Sequence, residues 1–381
     1  MPEKDTPNNP LRQSFTWALI GQACRQSIPP KGWGAVESII WDYSACLKKL
    51  GHKVVIINTR DQQEVITAIN QCRPDVVHVH QHHLADVLDK IHVPVKIFTS
   101  HSGYRMNKSA TLRFLCEHPV QYLKDGLFVF VLSPAWRKMF LDCGYNPAEV
   151  FVTPNGADHR RFRFRKTPLH ENRSIYLGHI TVNKRQHIYQ AIDSIDFAGP
   201  HGEGSFNKTH KNYLGEWARD TLYEHLSDYA NLVILSESEA APLVVLEALV
   251  CGLGVVVSTA ASVNLDTKLP WITVIPDEKI TDVAFVEAEI ARNREISLRH
   301  REQIREYGIG NFAWERLVPR YADLCLKLHA ERTARRGFSA RSADTLRRLR
   351  YLLPALPSLF FYTARYLMFK SLPRRIRRLF R

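Results

Sequence analysis

NLVILSESEAAPLVVLEALVCGLGVVVS, Asn231 to Ser258, is the stretch whose reading decides the fold. Leu232 to Leu235 is an apolar run of the length of a buried parallel strand. Ser236 to Ala241 is small and polar, hence a loop. Pro242 can open a helix, because the N–H it lacks would have no intrahelical partner there. Leu243 to Val250 is apolar on nearly every side and reads as a buried helix, ended by Gly252 and Gly254. Val255 to Val257 is the next strand. A strand–loop–helix–strand unit of this kind belongs to a parallel α/β sheet, in which ligands sit at the carboxyl ends of the strands.

Of the three carboxylates in this stretch, Glu239 in the loop and Glu247 on the helix are the two that flank the start of the helix most closely. With Pro242 as the first helical residue, Glu247 lies about one and a half turns in, and both acids can face one cleft. Between them the N–H groups of Leu243 and Val244 crown a helix tip, which suits an anionic group such as a diphosphate. Carboxylates accept well from vicinal hydroxyls. The arrangement fits a ligand with a sugar at one end, a ribose at the other and phosphate between. On these residues alone, a solvated loop position for Glu239 and an exposed helix position for Glu247 fit equally.

The chain has 381 residues, 45% of them hydrophobic, enough for two domains with separate cores. Seven cysteines are scattered without a C-x-x-C pair, which argues against a disulfide framework or zinc site and for a reducing, cytoplasmic setting. Residues 1–13 read as disordered, with no apolar segment typical of a secretory signal. Net charge is +14, but Glu331 to Arg381 alone carries 14 Lys/Arg against 2 acidic residues. The charge is therefore a property of the tail.

The rest of the chain alternates strand and helix. Strands are expected at Phe15–Ile20, Val54–Asn58, Asp75–His80, Val95–Ser100, Phe128–Leu132 and Glu149–Val152. Helices are expected at Ala35–Leu50, Glu64–Gln71, Leu84–Lys90, Leu112–Leu123 and from Pro134 to Cys143. Pro154 to Lys166 breaks the pattern as an interdomain segment. The alternation restarts with strands at Ser174–Leu177, Asp196–Ala198, Tyr213–Leu214 and Trp271–Ile275. Its helices are expected at Lys184–Ile195, Arg219–Tyr229, 282–306 and 314–329. The expected architecture is two Rossmann-like doubly wound domains, 14–165 and 166–313, a helix over 314–330 crossing back onto the first, and a basic, apolar-aromatic tail over 331–381.

With both halves laid out, the chain resembles the retaining glycosyltransferases of family four, which have the GT-B fold. Glu239 and Glu247 form its E-x7-E. Around them lie KGWGAVESI (Lys31–Ile39), GHKVVI (Gly51–Ile56), PDVVHVH (Pro74–His80), FTSH (Phe98–His101), PNGADHRRF (Pro154–Phe162) and LGHITVNK (Leu177–Lys184). The resemblance covers about residues 14–330. It implies that Glu239 binds the hydroxyls of the transferred sugar and Glu247 the ribose. Gly34 would let the backbone approach the diphosphate, Lys184 would neutralise the leaving group, and His101 would lie under the sugar ring. No divalent metal or cofactor would be needed, and the sequence has no Asp-x-Asp pair. The donor would bind the second domain and a glycan or lipid-linked acceptor the first.

There are departures from the family pattern. His179 stands at a donor-site position where the family usually has Arg, and neutral imidazole stabilises pyrophosphate less than guanidinium does. Ala241 and Pro242 replace an aromatic and a Gly. Glu37 matches a common family residue, with a helix-capping or surface role fitting equally. His78, His80, His82 and His83 suggest a metal cluster, but no Cys or carboxylate completes one.

In the tail, Tyr351–Phe369 is apolar and aromatic but holds Pro354, Pro357 and Arg365 between flanking arginines. That pattern fits an interfacial segment on an anionic membrane better than a spanning helix or a nucleic-acid-binding stripe. The expected function is a peripheral, metal-independent, retaining transfer of a hexose-type sugar from a nucleoside diphosphate sugar to an acceptor hydroxyl in envelope or lipid-linked glycan synthesis. The alternatives are a GT-B epimerase or hydrolase and a degenerate sugar-binding scaffold.

Overall fold

The computed structural model describes residues 14–21, 26–80, 82–99, 101, 127–142, 145–202 and 204–336. The expected disorder over 1–13, the helix Leu112–Leu123 and the amphipathic stretch Tyr351–Phe369 lie outside the described residues.

The first domain runs β1 (Thr16–Ile20), α1 (Ala35–Lys49), β2 (Lys53–Ile57), α2 (Gln62–Cys72), β3 (Val76–Val79), a 3-10 segment His82–Asp89, β4 (Val95–Thr99), β5 (Leu127–Val131), α3 (Pro134–Asp142) and β6 (Val150–Val152). Its strands form one parallel sheet in the order β2-β1-β3-β4-β5-β6. Strands covered on both faces need no alternation, so β3 and β5 are buried along their whole length. One face packs on α2, the 82–89 segment and α3 through Val65, Ile69, Leu84, Val87, Trp136 and Phe140. Side-chain caps begin two of these helices: Asp61 accepts from the N–H groups of Gln63 and Glu64, and the Ser133 hydroxyl accepts from Trp136 N.

The second domain runs β7 (His170–Leu177), α4 (Gln186–Tyr189), β8 (Ile195–Ala198), α5 (Arg219–His225), β9 (Tyr229–Ile234), α6 (Leu243–Val250), β10 (Gly254–Ser258), β11 (Ile272–Ile275) and α7 (Val283–Phe312), the last bent at His300. Its parallel sheet has the order β11-β10-β9-β7-β8. The opening stretch is therefore β9–α6–β10. Gly252 ends α6 with φ +79°: its N–H bonds Leu249 O and that of Leu253 bonds Ala248 O. This Schellman turn needs the left-handed residue that glycine supplies.

Four expectations change. Pro242 is the residue that caps α6 rather than its first turn. The helix expected over Lys184–Ile195 is one turn, α4, because Arg185 sits in the left-handed region and the chain must re-enter the sheet at Ile195. The one expected from Arg219 stops at His225, and Tyr229 begins β9. Tyr213 makes only an isolated bridge to Phe197.

The chain crosses between domains twice, side by side. Ala157 bridges Ala313, and Ala157 N donates to Phe312 O. The final helix, α8 (Trp314–Arg336), then covers the other face of the first sheet with α1, burying Trp314, Val318, Tyr321, Ala322 and Cys325. It runs six residues past 330, so the start of the tail is helical. No helix among the described residues is long and apolar enough to cross a membrane.

Asp42 of α1 ties this junction. It accepts from Trp314 Nε1 at 2.9 Å and pairs with Arg161 at 3.0 Å. Burial pushes its carboxyl up to about 6 although Arg161 and the Trp314 N–H favour the charged form. A folded-state pKa above the unfolded one makes a contribution that is complete below 3.8 and lost as pH rises through about 6. Urea unfolding should show about 2 kcal/mol of stability lost between pH 4 and pH 7 through this group, and Asp42→Asn should remove that part of the pH dependence. An unchanged slope would show that Asp42 does not titrate there.

Candidate active site

In both sheets the strand order reverses once, between β1 and β3 and between β7 and β9. Crevices open at the carboxyl ends of the strands at such points. These ends face each other across the domain junction. Asn264, beyond β10, donates to Leu132 O, beyond β5, at 2.7 Å. Asn155, beyond β6, donates to Ala241 O, beyond β9, at 3.0 Å. Arg219 N lies 3.5 Å from Lys31 O in the loop after β1.

At the second crevice the loops after β7 and β9 are laced together. Asn183 O accepts from Glu237 N at 2.8 Å, its Nδ2 donates to Ser238 O, and its Oδ1 accepts from the Ser238 hydroxyl. Tyr176 donates to Lys184 O and accepts from Leu235 N. The result is an ion pair between Lys184 Nζ and Glu239 Oε1, both side chains largely buried. Lys184 and Glu239 are thus brought together, and Asn183, which sequence reasoning passed over, holds them. The close approach of the chain after β8 to that after β7 needs glycine at 199: its φ is +151° and a Cβ would stand 2.0 Å from Gly178 O. His179 is exposed and lies against Gly202.

Beside this pair is the tip of α6. Its first N–H groups, Leu243 and Val244 among them, have no intrahelical acceptor, and no side chain caps the helix. Leu243 packs against the core of the first domain and Val244 against that of the second, so the tip sits at the junction. Glu247 is 3% exposed, not the solvated helix position that fits its sequence equally well. Its Oε1 pairs with Arg219 Nη2 at 2.7 Å, and its Oε2 is buried with no hydrogen-bond partner among the described residues. Burial opposes the Arg219 charge, but Glu247 and Tyr223 more than offset it and hold its pKa above the ordinary value. Glu239 and Glu247 thus have separate cationic partners, Lys184 and Arg219.

In the first domain Gly34 caps α1, crowded by Glu37, Gln26 and Pro30, each within 3.3 Å of where a Cβ would stand. Glu37 is 2% exposed, which rules out a surface role. His101 follows β4 and hydrogen-bonds His80 Nδ1 through Nε2 at 2.9 Å. His80 stacks at 3.9 Å on His78, which bonds Tyr321 and Thr99. Burial drives His78 and His80 well below the ordinary imidazole pKa, with His101 adding to both and His78 adding to the shift of His80. His78 and His80 are therefore neutral at neutral pH, with His78 bonded to Tyr321 and Thr99 and His80 to His101. Among the described residues, the group with metal-ligand spacing is Asp158, His159 and Glu315, and Arg160 already bridges both acids.

Residues 62–161 match the family model described as Glycosyltransferase Family 4. That segment runs from α2 to the interdomain crossing and holds the His80–His101 pair. Solved structures match nearly the whole fold. AviGT4, a glycosyltransferase involved in avilamycin A biosynthesis, has a TM-score of 0.60 at 18% identity, covering 83% of this chain and 98% of its own. Sucrose-phosphate synthase from Thermosynechococcus elongatus gives 0.64 at 15% identity, covering 83% and 100%. Anabaena HepE in complex with UDP-glucose gives 0.59 at 13% identity, covering 82% and 100%. No curated protein matches the chain. The chain has the GT-B fold, two Rossmann-like domains facing one cleft, and its residues 62–161 are similar to Glycosyltransferase Family 4.

Proposed function

We propose that the chain is a nucleoside-diphosphate-sugar glycosyltransferase that transfers a hexose-type unit to an acceptor hydroxyl with retention, without a metal. The observation that carries this reading is the Lys184–Glu239 pair at the crevice of the second sheet, beside the uncapped tip of α6. A diphosphate entering the cleft meets Lys184 and the N–H groups of Leu243 and Val244. When the glycosyl–oxygen bond breaks, its electron pair leaves with the diphosphate, whose growing charge these groups neutralise. The acceptor oxygen bonds the anomeric carbon on the same face, and its proton passes to the departing phosphate oxygen. Released from Lys184, Glu239 accepts from the sugar hydroxyls, and Glu247 from the ribose. Gly34 and His101 face the donor from the first domain. HepE was solved with UDP-glucose, and starch synthase IV of Arabidopsis thaliana, of the same fold, with ADP and acarbose, which supports a nucleotide donor.

With His179 standing where the family usually has a guanidinium, Lys184 is the cation assigned to the diphosphate. The basic, aromatic residues beyond 336 favour an acceptor held at an anionic membrane surface, hence a cytoplasmic, peripheral enzyme of envelope or lipid-linked glycan synthesis. Thermal-shift screening against UDP, ADP, GDP and their hexose conjugates tests the reading. At a hundredfold excess over Kd, the matching nucleotide should stabilise the fold by about 2.7 kcal/mol. No shift with any of them would overturn it, and turnover of donor without any acceptor would point to an epimerase or hydrolase.

A further inference from the structure

Arg219 is absent from every sequence signature above, yet it sits at the centre of the donor half of the cleft. Its Nη2 holds Glu247 Oε1 at 2.7 Å, its Nε donates to Tyr223 OH at 3.1 Å, and its guanidinium lies 4.8 Å over the Tyr223 ring. The two contacts with Tyr223 fix the plane of the guanidinium. That plane fixes the Glu247 carboxylate. Its backbone N is the atom beside Lys31 O, so the same residue stands where the loop of Gly34 meets the second domain. Trp33 of that loop packs against the core of the second domain. The remaining carboxylate oxygen, Glu247 Oε2, is buried and has no partner among the described residues. A charged acceptor without a donor is costly inside a protein, and its retention marks a place where a ligand hydroxyl completes the set.

We propose that Arg219 is a positioning residue: it holds one oxygen of Glu247 so that the other is presented to the ribose hydroxyls of the donor. This rests on the functional reading above and adds to it the residue on which ribose recognition depends. Arg219 does not touch the reacting atoms. Its effect is on nucleotide affinity and on the preference for ribose over deoxyribose.

Calorimetric titration of the full chain with UDP, ADP and GDP, each beside its 2′-deoxy and 3′-deoxy counterparts, tests this. The unsubstituted chain should bind the matching ribonucleotide about tenfold more tightly than at least one deoxy form, the effect of one hydrogen bond to a charged acceptor. Arg219→Gln should weaken the ribonucleotide about tenfold and bring the two affinities together. Glu247→Gln should do the same, and the double variant should add nothing further. Arg219→Lys should recover part of the preference. The ratio of the two affinities does not depend on the fraction of folded protein, so a purely structural role would leave it unmoved. An Arg219→Gln chain that keeps the full ribose preference overturns the inference and leaves the functional reading standing. An unsubstituted chain that binds none of the nucleotides overturns both.

Discussion

Lys184→Ala is expected to lower sugar transfer by about 100- to 1000-fold, with the loss in kcat. Removing one preorganised group that stabilises a developing negative charge has an effect of that size. Lys184 is not a loose surface lysine. Its carbonyl is held by Tyr176, its neighbour Asn183 is bonded three times to the opposite loop, and its ammonium is paired with Glu239. It is therefore held at the crevice before a diphosphate arrives and exchanges Glu239 for the diphosphate on binding, so that no reorganisation is left for the moment the bond breaks. Glu239→Ala should lose activity comparably, because the hydroxyls of the transferred sugar lose their acceptor. The two losses should not add, since the residues act as a unit. Initial rates of nucleoside diphosphate release in the presence of acceptor measure both. A Lys184→Ala rate within twofold of the unsubstituted chain would remove the ammonium from the reaction.

Arg301→Leu is expected to destabilise the second domain by about 3–5 kcal/mol, since several buried acceptors lose their donor at about 1–3 kcal/mol for each one left unpaired. Arg301 lies on α7, 2% exposed, and its guanidinium donates to the carbonyls of Arg165, Ser227, Tyr229 and Ala230 and to the Ser227 hydroxyl. It gathers the end of the interdomain segment and the start of β9 onto one helix. Burial lowers its pKa to about 10, so it stays charged at neutral pH. Leucine would fill much of the volume but leave the carbonyls without donors in a place water does not reach. Urea unfolding followed by tryptophan fluorescence gives the difference. A loss below about 1 kcal/mol would show that the carbonyls find other donors.

The parallel strands were legible because a strand buried on both faces is an uninterrupted apolar run bounded by polar turns. β9, α6 and β10 could be placed from Asn231–Ser258 within a few residues for that reason. The helix expected over Lys184–Ile195 failed for a complementary reason. Gln186 and Gln190 look like the solvent face of a helix but are 0% and 8% exposed. Their amides bond the backbone of His179 and Asn207, replacing the helix they would otherwise continue. Pairings between distant side chains left no local trace. Nothing near Arg219 announces Glu247, which is 28 residues away, and nothing near His80 announces His101. The acids themselves were visible, because Glu239 and Glu247 flank the start of an apolar helix and match E-x7-E. The identity of their partners was not.

The most direct test of the account is a crystal structure of the chain with UDP, ADP or GDP, whichever binds most tightly. The account predicts the β-phosphate within hydrogen-bond distance of Lys184 Nζ and the N–H groups of Leu243 and Val244, with the ribose hydroxyls on Glu247 Oε2. A nucleotide bound away from the tip of α6, or with Glu239 and Glu247 both turned from it, would contradict it.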